Sequence, residues 1–207
     1  MIDIDPDAAT LLVNYAVGCA EGLVKDRRMS PKSAEEIIRK VFEGLPITAG
    51  DAQKFSVAYL KCSSLARRLG KKSIDAETVR TYFFKPSEHD RFVDDSFKAD
   101  SAMNIKWDFE PSECKVQEGS VVKAEKGLAL VKAVIEGKET IRECRNPIRD
   151  LKAGAYVVFH RGYIAEQLNV ELRAFVENMR NSDAKNVELL KGVFKCKKDE
   201  PKVRVRS

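Results

Sequence analysis

The residues able to do nucleophilic or metal chemistry in this chain are few: five cysteines, at positions 19, 62, 114, 144 and 196, and two histidines, at 89 and 160. No two cysteines have C-x-x-C spacing and their number is odd, which argues against a disulfide framework and against a zinc ribbon or finger. A thiol reacts, or binds a soft metal, as its thiolate, so a working cysteine needs a cation or an imidazole nearby. Cys114, in "SECKVQEGSVV", stands at the mouth of a strand-like run with Lys115 beside it, and His160 closes another run, "AYVVFH". Brought together, these two would suit a soft metal or a cysteine nucleophile served by a histidine base. No third orienting group or oxyanion site is identifiable. There is no phosphate loop, paired-carboxylate motif or H-E-x-x-H, and Gly119, Gly154 and Gly162 read as turn glycines, so the chain reads as a non-enzyme.

The other candidates have plainer readings. His89 lies between Glu88 and Asp90 in a polar stretch and reads as solvated. Cys19 and Cys62 sit among apolar neighbours and read as core, Cys144 reads as a buried strand residue, and Cys196 reads as exposed in the tail.

The elements that must position these groups fall into two halves of different character. Residues 1–85 read as a helical bundle. Asp5-Pro6 opens a helix carrying Leu12, Tyr15, Ala16, Cys19 and Leu23 at helical spacing. Ser30-Pro31, with Ser33 and Glu36 as a capping box, opens a second that stops at Gly44. A third follows Thr48 and ends at Gly70; a fourth starts at Asp75, with Ile74 and Val79 as a hydrophobic staple, and runs to Pro86. Over 86–111 the periodicity fails, giving a linker whose Phe92, Phe97, Trp107 and Phe109 are expected to pack along the surface of one domain or between both.

From 112 to 190 the pattern is short β-runs separated by turns: "VQEGSVVKAE", "LALVKAVI", "ETIREC", "AYVVFH" and "YIAEQL". Five short strands predict a small OB-like barrel, since an open sheet of that size leaves edges unpaired. A helix with Leu172, Phe175, Val176 and Met179 on one face follows, and Leu189 and Leu190 are placed to extend it. The fold class is therefore α+β, an N-terminal helical bundle followed by a five-stranded barrel with a C-terminal helix.

The formal charge is +5, and the tail 191–207 carries seven Lys/Arg against two Asp/Glu, so the rest of the chain is balanced. Lys195, Lys197, Lys198, Lys202, Arg204 and Arg206 could hold phosphates in a salt-sensitive way. With 43% hydrophobic residues the chain can bury a core. It has no apolar run of membrane-spanning length and opens on the acidic "MIDIDPDAAT", which together predict a cytoplasmic protein.

Two motifs of the C-terminal half resemble the HypC/HupF family of hydrogenase maturation chaperones. One is the C-x4-G-x-V-V spacing from Cys114 to Gly119 and Val121-Val122. The other is "GAYVVFHRGYIAEQL", which runs from Gly154 and aligns His160, Tyr163 and the "IAEQL" run with the family's strand-ending histidine, aromatic residue and following run. The resemblance implies a barrel with a C-terminal helix and a metal-binding chaperone or scaffold role. It further implies Cys114 as thiolate ligand and His160 as imidazole ligand or supporting hydrogen-bond partner to an iron centre bearing cyanide and carbon monoxide. Gly119, Gly154 and Tyr163 would support them, and a HypD-like protein would be the partner. No cofactor follows from the residues alone. The chain departs from the family in placing its cysteine internally, in having Lys115, Val116, Gln117 and Glu118 where the family has apolar residues and proline, and in having Ala155 for aspartate. The alternative function is a nucleic-acid- or protein-binding OB-like module without metal chemistry. It would use the basic tail and a face carrying Tyr156 or Phe159, which strand alternation sends to opposite sides.

Overall fold

Capping chemistry sets the helix starts of the N-terminal half. The computed structural model describes residues 2–106 and 109–182. A two-residue strand β1 (Asp3–Ile4) leads into α1 (Pro6–Ala16), whose N-cap Asp5 is extended and whose first residue is proline. The helix expected to run unbroken to Leu23 tightens into one 3-10 turn, Val17–Cys19, and resumes as α2 (Ala20–Lys25). Helix α3 (Pro31–Glu43) is capped by Ser30, which accepts from the Ser33 amide at 3.2 Å, and stops at Gly44 in a left-handed conformation. The helix expected over 48–70 is divided at Phe55, whose ψ of 60° leaves the helical region while its ring is buried. The two pieces are α4 (Ala49–Lys54), with a Thr48/Asp51 capping box, and α5 (Ser56–Arg68). Strand β2 (Ser73–Ile74) pairs in parallel with β1, a bridge too short for a sequence pattern to signal. Helix α6 (Ala76–Phe84) starts at Asp75, and the staple residues Ile74 and Val79 are both fully buried.

The expected linker contains a helix, α7 (His89–Ala102). Counting His89 as a solvated polar residue hides the reason. His89 and Val93 are both buried, so His89, Phe92 and Val93 form the i, i+3, i+4 stripe that holds α7 on the bundle. Trp107 lies outside the described residues, as do Leu189 and Leu190 and the whole basic tail.

A 3-10 turn, Pro111–Cys114, delivers the chain to the barrel. Its strands are β3 (Gln117–Glu125), β4 (Gly127–Ile135), β5 (Lys138–Asn146), β6 (Tyr156–His160) and β7 (Tyr163–Gln167). They close in the order β3-β4-β5-β7-β6, with β5 and β7 parallel and the other pairs antiparallel. Gly119, expected in a turn, lies inside β3, where a Cβ would run into the carbonyl of Lys132 on the neighbouring strand β4. Val121, Val131, Val157, Phe159 and Ile164 fill the interior. Helix α8, residues 170–182, begins where Asn169 accepts from the Leu172 amide at 2.8 Å. Val176 is fully buried, with Leu172, Phe175 and Met179 packed beside it.

One hydrophobic core crosses from bundle to barrel. Alternation along β6 sends Val157 and Phe159 into the barrel and Val158 outward, where it joins Tyr15, Phe83 and Phe84 of the helices. Val116, Tyr163, Ala165 and Leu168 belong to the same cluster. Polar contacts fix the register. Glu166 accepts from Arg80 Nη2 at 2.6 Å, Arg80 Nε at 3.2 Å and the Tyr15 hydroxyl at 2.9 Å. No helix among the described residues is long and apolar enough to cross a membrane.

Candidate functional site

The site forms where the corner between α1 and α2 meets the two ends of the barrel motif. Cys114 ends the 3-10 turn before β3, and His160 ends β6. Arg161 and Gly162 then reverse the chain with φ of 49° and 75°, the two-residue hairpin geometry that suits the twist of the flanking strands. On the bundle side the corner approaches through Gly18. A Cβ there would stand 2.7 Å from the carbonyl oxygen of His160 and 2.8 Å from Arg161 Cβ, so glycine permits the contact that puts Cys19 against Cys114.

His160 is 2% exposed, and both of its ring nitrogens face carbonyl oxygens: Nδ1 lies 2.6 Å from that of Tyr15, and Nε2 lies 2.8 Å from that of Cys114. A carbonyl can only accept. A ring nitrogen that carries a proton therefore donates to the carbonyl it faces, and the two contacts tie the ring to α1 on one side and to the turn before β3 on the other. The Cys19 thiol donates to the Cys114 sulfur and, outweighing the opposing effect of burial, acts with His160 and Arg161 to hold the Cys114 thiol well below its ordinary pKa. Cys19 moves the other way, because the same hydrogen bond and its own burial keep its proton in place. The Cys114 sulfur also accepts from Arg161 Nη1 at 3.9 Å.

The surroundings are aromatic. The Arg161 guanidinium lies 3.9 Å from the ring centroid of Phe109. The His89 ring meets those of His160 at 5.4 Å, Tyr82 at 5.4 Å and Phe83 at 5.1 Å. His89 is thus a buried member of the site and not the solvated residue expected from its neighbours. Burial lowers its pKa, opposed by a 3.3 Å contact with Asp90 and reinforced by His160, so its ring stays neutral. These groups line a cavity of about 700 Å³ bounded by residues of α2, α5, α6 and α7, with Cys19 and Cys114 in its wall.

Of the sequence-predicted residues, the structure brings Cys114 and His160 together although 46 positions separate them. Gly119, Gly154 and Tyr163 do not line the cavity. Gly154 anchors a turn by donating to the Val121 carbonyl at 2.8 Å, and Tyr163 packs against Phe42 and accepts from Arg145 at 2.8 Å. Cys62 and Cys144 are buried, as expected, and burial raises both thiols, Cys144 to about 12. Cys19 is corrected from a core residue to a half-buried partner of Cys114. On the alternative nucleic-acid face, Phe159 fills the barrel and Tyr156 is covered by the Arg173 guanidinium at 4.2 Å. The tail residues Lys195, Lys197, Lys198, Lys202, Arg204 and Arg206 lie outside the described residues.

Sequence reasoning missed Cys19, His89, Arg161 and Phe109. The usable signal was Gly18 inside a helical pattern, which marks either a weak helix or a close backbone approach. No group of three His, Cys, Asp or Glu residues able to hold a metal ion occurs among the described residues. No protein-family model matches the chain, and no curated protein matches it.

Proposed function

We propose that this chain is a HypC-like accessory protein that uses Cys114 to hold a partner protein or a metallocentre in transit. The observation that carries the reading is the approach of His160 to Cys114 across the two ends of the barrel motif, Nε2 to the Cys114 carbonyl at 2.8 Å, with the Cys114 thiol held below its ordinary pKa. A soft, low-spin iron centre favours thiolate, and the half-buried Cys114 offers one such donor. The donor set suits cargo anchored through sulfur, with remaining ligands brought by the cargo or by a HypD-like partner. It does not suit a resident ion, since His160 spends both nitrogens on carbonyls. In this reading His160 is the supporting hydrogen-bond partner that holds the Cys114 backbone, and the helical half shields the sulfur from bulk water.

The test is co-expression with a HypD-like partner under anaerobic conditions, followed by iron analysis and partner recovery for wild type, Cys114→Ala and His160→Gln. The expected result is iron and partner retained by wild type, lost with Cys114→Ala and reduced with His160→Gln. Equal iron and equal partner recovery for wild type and Cys114→Ala would overturn the reading.

A further inference from the structure

The second thiol of the site is unused by that reading, and it is the better clue to further chemistry. We propose that Cys19 and Cys114 form a two-cysteine redox site that reduces hydroperoxides carrying an apolar substituent, ending in an intramolecular disulfide between the bundle and the barrel. Cys19 comes from the corner after α1 and Cys114 from the turn before β3; the close approach of Gly18 to the His160 carbonyl and the 2.8 Å contact of His160 Nε2 with the Cys114 carbonyl bring the two segments together at one end of the cavity. Cys62 and Cys144, at 0% and 1% exposure, have no such access.

Three features of the geometry support this assignment. Cys114 and Cys19 share the wall of the 700 Å³ cavity, so a small oxidant that enters meets both. Arg161 Nη1, 3.9 Å from the Cys114 sulfur, is placed to accept charge developing on the leaving oxygen. The rings of Tyr82, Phe83, Phe92 and Phe109 give the cavity an apolar lining suited to the substituent of an organic hydroperoxide.

The Cys114 thiolate attacks one peroxide oxygen; the S–O bond forms, the O–O bond breaks, and the alkoxide leaves and takes a proton from water. Cys114 is now a sulfenic acid. The Cys19 sulfur attacks it, the S–S bond forms, and the hydroxyl departs with the Cys19 proton as water. Two electrons pass from the thiol pair to the peroxide, and a dithiol reductant returns the site to its starting state.

The experiment uses the full chain in a Cys196→Ser background, without iron or partner, treated anaerobically with one equivalent of an aryl hydroperoxide. Wild type is expected to lose two hydrogens by intact mass and to yield a peptide pair joined through Cys19 and Cys114. Cys19→Ser, and separately Cys19→Ala, should stop at a sulfenic acid on Cys114 that a cyclic dione traps, and Cys114→Ser should be inert. Thermal unfolding by circular dichroism identifies which variants retain the fold, and two substitutions at position 19 keep the comparison available if one does not. A wild type that accumulates sulfenic acid as the Cys19 variants do, a disulfide joining two chains, or a Cys114→Ser protein as reactive as wild type would each overturn the proposal. Because no iron or partner is present, failure here leaves the chaperone reading standing, and failure of that reading leaves this one.

Discussion

Replacing Gly18 with alanine should both weaken the fold and raise the pKa of a thiol that the substitution does not touch. The added Cβ would lie 2.7 Å from the His160 carbonyl oxygen, 2.8 Å from Arg161 Cβ and 3.2 Å from the Arg161 carbonyl oxygen. Two of these three atoms are backbone and cannot rotate aside, so the corner between α1 and α2 must back away. Overpacking of this kind costs about 1–3 kcal/mol. Against it, alanine restricts the unfolded chain and recovers about 0.4–1 kcal/mol. The clash wins, and we expect a net loss of about 1–2 kcal/mol. Cys19 follows Gly18 directly, so the retreat removes the largest influence holding the Cys114 thiol down, and its titration moves toward the ordinary value of about 8.5. Urea unfolding followed by circular dichroism reads the first effect, and the ultraviolet absorbance of the thiolate against pH reads the second. Gly22→Ala is the matched control. Its Cβ would meet only Arg161 Nη1, at 3.5 Å, an ordinary contact with the end of a flexible side chain, so this variant should gain about 0.4–1 kcal/mol and leave Cys114 alone. A Gly18→Ala protein as stable as wild type with an unmoved Cys114 titration would refute the argument, as would identical behaviour of the two alanine variants.

Glu166→Gln should cost about 2–3 kcal/mol in urea unfolding, because it strips the charge from a part-buried acceptor of Arg80 and Tyr15; a loss under 0.5 kcal/mol would show that the interface does not depend on that carboxylate. Asp51 is 3% exposed, and burial, which alone would raise its pKa, is outweighed by Lys40, Thr48 and Lys54, leaving it well below the usual carboxylate range. Its folded pKa is depressed, so its contribution is present above the unfolded value of about 3.9 and disappears as the pH falls toward the folded one. Asp51→Asn should therefore cost about 1–2 kcal/mol at neutral pH and progressively less below pH ~3.9, read from urea midpoints; a cost that does not shrink in acid would contradict the ionic account. If the basic tail holds nucleic acid, deleting 191–207 should abolish binding to single-stranded DNA that falls steeply with salt; salt-insensitive binding, or binding that survives the deletion, would rule out the tail as its origin.

The barrel was legible because each of its runs is bounded by a turn signal and alternates, so β6 could be read with Val157 and Phe159 on one face and Tyr156 and Val158 on the other. The helix starts at Ser30, Thr48 and Asp75 were legible for a similar reason, since a cap is a local event. Pairing Cys114 with His160 needed the order of two motifs and not any local pattern. What escaped was decided by contacts between distant segments. Cys19 looks like any apolar-face cysteine until Gly18 allows its helix corner to meet the β6–β7 hairpin. His89 looks solvated beside Glu88 and Asp90, because the rings of Tyr82, Phe83 and His160 that cover it arrive from elsewhere in the chain. The break at Phe55 has no glycine or proline to announce it.

The His160 ring has a consequence for how the molecule comes together. Its two nitrogens reach into different thirds of the chain, one to the last turn of α1 and the other to the threshold of β3. A barrel made without the first hundred residues would keep the histidine but lose the Tyr15 carbonyl, and the outer faces of Val158, Tyr163 and Leu168 would open to water. The bundle made alone would lose the same seam from the other side. The seam between the halves is therefore shared property: one imidazole ring holds three segments of the chain together, and each half depends on the other to cover its apolar face.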